Sequence, residues 1–225
     1  MWLSIIIPTF RDDEGLTKLL NHLESWDLTD TEVIIVDGES RNRPRFLPSF
    51  VKYLSSPEAN RGVQLRYGAD SSMGENLLFV HADSVFVSGS PLPTLKNTPA
   101  MIGFFTLKFD RNTSFYKIME FGSNLRARVG KQIFGDQGLF INKKLYQFVG
   151  GYPAQPLMED MELSMKLEKT GVPFTQFSDQ IQTSGRKYRS EGKLTSFFKM
   201  QFFKMLYWSG TSPEKLSKAY YRKGK

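Results

Sequence analysis

Cysteine is absent from the 225-residue chain. That excludes a disulfide framework, a cysteine metal site and thiol catalysis. Only His22 and His81 are present, too few for a histidine-rich zinc site. No apolar run approaches the ~20 residues that span a bilayer. The N-terminal run Trp2-Leu-Ser-Ile-Ile-Ile7 stops at Pro8 and follows no basic leader. It is too short for a secretory signal and reads as a buried strand. The expected location is cytoplasmic, with peripheral contact on the inner face of the membrane left open. Repeats and low-complexity tracts are also missing.

What the chain does contain is 40% hydrophobic and 14% aromatic residues, enough for a packed core. The formal charge is +7, but it is unevenly placed. Residues 185–225 hold 11 basic and 2 acidic residues, leaving a body of net −2 over residues 1–184. A near-neutral body with a basic tail does not match a uniformly basic nucleic-acid binder, so no nucleic-acid partner is expected.

The first 83 residues alternate strand and helix patterns. Leu3–Ile7, Glu32–Asp37, Val51–Ser55 and Leu77–Val80 are apolar, largely β-branched runs. Leu16, Leu19, Leu20, Leu23 and Trp26 form one helical stripe, and Asn60–Ser72 reads as a second helix. This pattern predicts an α/β fold with a mostly parallel sheet flanked by helices. Ligands of such sheets bind beyond the carboxyl ends of the strands. Those ends carry Pro8-Thr9, Asp37 and His81-Ala-Asp83, which are expected to share one crevice.

The second half is less regular. Strands are expected at Ala100–Lys108 and Gly138–Asn142. Helices are expected at Thr113–Arg128, Leu145–Val149 and Leu157–Lys169.

Each candidate residue has two readings. Asp37 can accept hydrogen bonds from a ribose or base, or cap the turn at Gly38. Asp83 can meet a hard cation carrying diphosphate, or cap the segment that follows. Period-two geometry would point His81 and Asp83 the same way. Glu159-Asp160 opens a helix, where acids complement the dipole and where one of them can act as a base on a hydroxyl. Gly135-Asp-Gln-Gly138 is a tight polar turn. Arg186-Lys-Tyr-Arg189 is a phosphate contact or a solvated basic face.

In this order the motifs resemble family 2 inverting glycosyltransferases of GT-A (Rossmann-like) fold. The similarity is closer still to the bacterial subgroup of selenium-domain-associated and arsenosugar-biosynthesis glycosyltransferases. It rests on Ser4-Ile-Ile-Ile-Pro-Thr9, Val33-Ile-Ile-Val-Asp-Gly38, Arg61-Gly-Val-Gln64, Leu78-Phe-Val-His-Ala-Asp-Ser84, Gly135-Asp-Gln-Gly138, Pro156-Leu-Met-Glu-Asp160 and Thr183-Ser-Gly-Arg186.

The resemblance implies that Pro8, Thr9, Asp12 and Asp37 hold the nucleoside, with Arg61 and Arg186 on the diphosphate. Asp83 would meet Mg2+ or Mn2+ on that diphosphate. Asp136 and Gln137 would lie beside the acceptor or sugar. Asp160 would be the base, supported by Glu159. The donor would be a nucleotide sugar, UDP-linked first, and the acceptor a small molecule or a lipid. His81 stands where many members have an acid, and Tyr188 where a tryptophan is common.

Two other classes compete. A nucleotidyltransferase acting on a sugar phosphate would need a glycine-rich basic loop after the first strand, and Pro8–Asp13 contains no glycine. A non-catalytic membrane-surface module would rest on the tail alone. Residues 1–184 are read as the GT-A domain and 185–225 as a basic, aromatic helical extension. Phe197, Phe198, Phe202, Phe203, Tyr207 and Trp208 leave that extension apolar on nearly every side. It is expected to pack on the body, join subunits, or rest on a membrane.

Overall fold

The computed structural model describes residues 1–39, 41–185, 188 and 192–221. β1 (Leu3–Thr9) and β2 (Thr31–Asp37) are buried along their whole length. They pair in parallel, with Leu3 opposite Thr31 and Thr9 opposite Asp37. This register sets the two carboxyl ends side by side. β3 (Val51–Ser55) flanks β2 and β4 (Asn76–Phe79) flanks β1, both in parallel.

The eight-stranded sheet has the order β3-β2-β1-β4-β7-β6-β8-β5. Its other strands are β5 (Val85–Phe86), β6 (Ile102–Phe109), β7 (Leu139–Asn142) and β8 (Phe174–Thr183). β7 runs antiparallel to both β4 and β6, and β5 antiparallel to β8. The sheet is therefore mostly parallel, with the expected βαβ half intact.

Side chains alternate between two cores because the strands are covered on both faces. Ile5, Ile7, Val33 and Ile35 pack with the leucine stripe of α1 (Asp13–Leu23). Ile6, Ile34 and Val36 pack on the other face with Leu65 and Ala69 of α2 (Arg61–Asp70). That face also takes Leu145 of α5 (Lys143–Phe148) and Leu163 of α6 (Glu159–Glu168). α3 (Leu92–Lys96) and α4 (Ser114–Val129) lie between β5 and the 3-10 turn at Gly135–Gln137.

β8 was not expected from the sequence. Its residues Phe174-Thr-Gln-Phe-Ser-Asp-Gln-Ile-Gln-Thr183 interleave polar and apolar groups irregularly. A register shift against β6 between Phe105 and Thr106 breaks the period of two. The helix expected from Leu157 begins instead at Glu159, because Met158 is left-handed at φ 64°.

The tail forms α7 (Lys193–Trp208) and α8 (Pro213–Tyr221). Phe203 and Leu216 join Leu157, Met158 and Met161 in a third core. Tyr207 donates to Glu162 at 2.7 Å. The described tail therefore packs on the start of α6. Among the described residues no helix is long and apolar enough to cross a membrane.

Candidate active site

Thr9 ends β1 with its Oγ1 buried and without a hydrogen-bond partner. Beside it the Gln64 amide donates to the carbonyls of Thr9 and Val36, each at 2.8 Å. This crosslink from α2 fixes the two strand ends. Asp37 is fully buried. It accepts from the Glu39 amide at 2.9 Å, Arg41 Nε at 2.7 Å and the Tyr53 hydroxyl at 3.2 Å.

Arg41 also clasps Asp13, which lowers that carboxyl below its ordinary value and raises the pKa of the guanidinium. Asp12 accepts from the Gly15 amide at 3.3 Å and caps α1. Pro8, Thr9, Arg61 and Gln64 line a cavity of about 370 Å³, and Ser217 of α8 forms part of its wall.

Arg61 opens α2, behind an Asn60 cap that accepts from Val63. A Cβ on Gly62 would come within 2.2 Å of the Pro153 carbonyl. The missing side chain lets α2 approach the loop before α6 and so delivers Arg61 to the start of that helix. Arg61 binds Glu159, whose side chain is wholly buried, and lies 3.6 Å from Asp160. Burial raises the Glu159 pKa, and the Arg61 charge opposes that rise.

Asp160 Oδ2 accepts from the Gly135 amide at 3.0 Å. Its Oδ1 is buried with no hydrogen-bond partner. Ser164 exchanges two hydrogen bonds with the Ile133 backbone, at 3.0 and 3.1 Å. These bonds pin the loop that carries Gly135 and Asp136 to α6. Gly135 has a steric role as well, since a Cβ there would overlap His81 Nε2 at 2.0 Å. His81 is held neutral near pH 7, its pKa pushed down to about 4 by burial and by the Arg61 charge.

Arg61, His81, Asp136 and Asp160 together line a cavity of about 170 Å³. Asp136 Oδ1 is buried without a partner, and burial raises its pKa. Gln137 does not line this cavity. It is completely buried and accepts from Arg126 Nη2 at 2.9 Å. The expectation that it touches acceptor or sugar gives way to a supporting position behind Arg126, because its amide faces inward.

The single crevice expected for the strand ends divides. His81 faces the Asp160 cavity, whereas Asp83 lines a separate cleft of about 400 Å³ with Glu14, Lys18 and Asp110. The strand has ended at Phe79, and the Ser84 amide turns back onto the His81 carbonyl at 3.1 Å. The period of two therefore fails across Ala82. Arg186 lies outside the described residues.

Three cations were missed by the sequence reading: Arg41, which pairs with Asp37, and Arg126 and Lys204, which stand at Phe134. Arg41 sits in the loop after β2. Arg126 Cζ lies 3.8 Å from the Phe134 ring centroid, and Lys204 Nζ 4.5 Å from the same centroid. Lys204 comes from the tail, is buried, and has its pKa pushed down to about 8, chiefly by burial. The only signal available in the sequence was a lysine interrupting an aromatic helix.

The model of Glycosyl transferase family 2 matches residues 4–134, more than half of the chain. No curated protein matches. Among solved structures, S. aureus TarS 1-349 in complex with UDP superposes with a TM-score of 0.63 at 17% identity, covering 82% of this chain and 60% of that one. The mannosyltransferase PcManGT from Pyrobaculum calidifontis, in complex with GDP-Man and Mn2+, gives 0.62 at 17% identity, covering 80% and 56%. S. aureus TarS 1-349 in complex with UDP-GlcNAc gives 0.59 at 16% identity, covering 82% and 58%. The chain thus spans about three fifths of the length of these structures, and at this identity they establish the GT-A fold. With the family match running from β1 through β6, over more than half of the chain, the chain belongs to glycosyl transferase family 2.

Proposed function

We propose that the chain transfers a sugar from a nucleotide diphosphate donor, UDP-linked first, to an acceptor hydroxyl with inversion at the anomeric carbon. The observation that carries this is Asp160 Oδ1. It is a buried carboxylate oxygen with no hydrogen-bond partner, in a cavity that shares Arg61 with the pocket at Pro8 and Thr9. A base must stand within hydrogen-bond reach of the proton it takes, and this carboxylate lines the cavity, with the buried Tyr152 hydroxyl beside it.

The nucleoside would rest on Pro8 and Thr9, with Asp37 beside it and Asp12 holding the start of α1. Arg61 would face the diphosphate while keeping Glu159 in place. The acceptor hydroxyl gives its proton to Asp160 as its oxygen bonds to the anomeric carbon. The bond to the diphosphate breaks on the opposite face, and the electron pair leaves with the nucleoside diphosphate.

Asp83 is the carboxylate that would meet a divalent cation, on a cleft it shares with Asp110, whose Oδ1 accepts from the Gly185 amide at 2.9 Å. A hard ion shared with a diphosphate needs only one or two such ligands. Bound there, Mg2+ or Mn2+ would offset charge on the leaving group where the diphosphate extends from Arg61 into that cleft. The complexes of the similar structures, with UDP, with UDP-GlcNAc and with GDP-Man and Mn2+, support a nucleotide-sugar donor and a divalent ion.

We read residues 1–184 as the transferase unit and 185–225 as an extension that completes its walls. The motif set around Arg61 and Gly135 favours the selenium-domain-associated and arsenosugar subgroup, and a cytoplasmic location goes with that reading.

The test is Asp160→Asn. It should reduce sugar transfer by about 10²–10⁴-fold, the usual weight of a general base, while UDP binding stays intact. Transfer at the wild-type rate would refute the assignment.

A further inference from the structure

A further, larger cavity of about 500 Å³ lies between α4 and α7. It shares Phe134, Asp136 and Met200 with the Asp160 cavity. Three cavities therefore adjoin in succession: the pocket at Thr9, the Asp160 cavity that shares Arg61 with it, and this groove. If the first takes the donor, the third is where an acceptor reaches Asp160.

The groove has the volume of a small-molecule site, typically ~300–1,000 Å³, so it suits a narrow chain better than a protein partner. Its walls are mainly apolar, including Ile118, Met119, Phe197 and Trp208. Its inner end is cationic. Arg126 and Lys204 stand there, and among the described residues neither has a carboxylate within salt-bridge distance. One buried acid, Asp136, faces these two cations.

Ile118 and Trp208 of the groove wall, and Phe121, Val129, Phe198 and Met205 beside it on the same two helices, are each more than half exposed. Large exposed apolar groups on neighbouring helices mark an interaction surface.

We propose that the α4–α7 groove receives the apolar chain of a membrane lipid acceptor with an anionic head, drawn from a bilayer on which the exposed rims of both helices rest. This rests on the transferase reading above. The lipid head presents the hydroxyl to Asp160, which takes its proton as the new glycosidic bond forms and the nucleoside diphosphate departs. Arg126 and Lys204 supply the charge that the head lacks in the apolar groove. Phe134 carries both cations on its ring and keeps them between the two cavities.

Gly122 provides the test. It lines the groove, and a Cβ built there meets nothing within 4 Å, so Gly122→Trp adds an indole at the groove wall without a backbone clash. Binding of dodecyl phosphate and of neutral dodecyl maltoside is measured on the full chain. Binding to phosphatidylcholine vesicles with and without phosphatidylglycerol is measured alongside. UDP affinity reports that each variant has folded.

Dodecyl phosphate should bind the wild type about ten-fold more tightly than the maltoside, roughly 1.4 kcal/mol. Gly122→Trp should lose both ligands. Lys204→Gln should lose the preference for phosphate. The phosphatidylglycerol vesicles should bind, and Phe198→Asp should release them. Sugar from the donor should enter the organic phase of a membrane lipid extract.

Undiminished dodecyl phosphate binding by Gly122→Trp overturns the groove. Binding of free amphiphile without vesicle binding overturns the bilayer source. A dimer that Phe198→Asp dissociates overturns the lipid in favour of a second copy. Failure of the transferase reading is a different result, namely no UDP binding and no release of UDP from the donor by the wild type.

Discussion

The two ends of the cavity line solve their charge problem in opposite ways. At the donor end each buried acid has a cation in contact. Asp37 holds Arg41 and the Tyr53 hydroxyl, and Glu159 holds Arg61. At the groove end the order is reversed. Lys204 and Arg126 lie on the Phe134 ring, and Asp136 keeps a buried oxygen unpartnered. The ion pairs set the charges of the donor end before anything binds. An end with unpaired groups has charge to satisfy, which is where a ligand gains most. Asp160 lies between them, with one oxygen tied to the Gly135 amide and the other without a hydrogen-bond partner.

Four substitutions sharpen that contrast. The largest effect belongs to Asp160→Asn, which removes the acid between the two ends and should leave the melting temperature nearly unchanged while transfer falls.

Next is Arg61→Ala at the paired end. It strands a wholly buried Glu159, and breaking such a pair costs roughly 4 kcal/mol. Burial has already raised the Glu159 pKa. The native state then holds its proton above the unfolded carboxylate range, so stability is lost as pH rises through the raised pKa. Urea unfolding should therefore show a smaller penalty for Arg61→Ala at pH 4 than at pH 7.

At the groove end the sign differs. Lys204 has its pKa lowered from 10.5 to about 8. Its depressed pKa contributes stability that is complete above 10.5 and lost as pH falls toward 8. Measured against Lys204→Met, wild-type stability should rise by up to about 3 kcal/mol across that window. A flat difference would mean that Lys204 is not buried there.

The smallest effect is Phe148→Ser, which removes the most exposed large apolar side chain. It lies away from both ends and should shift stability by less than about 0.5 kcal/mol.

The sheet was legible where burial is two-sided. Ile5, Ile6 and Ile7 are all buried, and such a run permits little besides a central parallel strand. The start of α6 was legible because two acids opened an apolar-periodic segment. β8 was not, since its half-buried face and the register shift at Phe105/Thr106 hide the alternation.

In the site, Asp37 and Glu159-Asp160 stood at element ends, where sequence position is informative. Arg126 and Lys204 lie within helices α4 and α7. Their role comes from two distant segments meeting at Phe134, and no local pattern encodes such a meeting. His81 and Asp83 show the converse error, where a local rule was extended one turn past the strand that justified it.

The central claim is the order donor pocket, Asp160, groove. A crystal structure with UDP and Mn2+ tests it most directly. The account predicts uracil over Thr9 beside Asp37, the diphosphate reaching Arg61, and the metal against Asp83. Uracil seated in the α4–α7 groove, or a diphosphate turned away from Arg61, would contradict it.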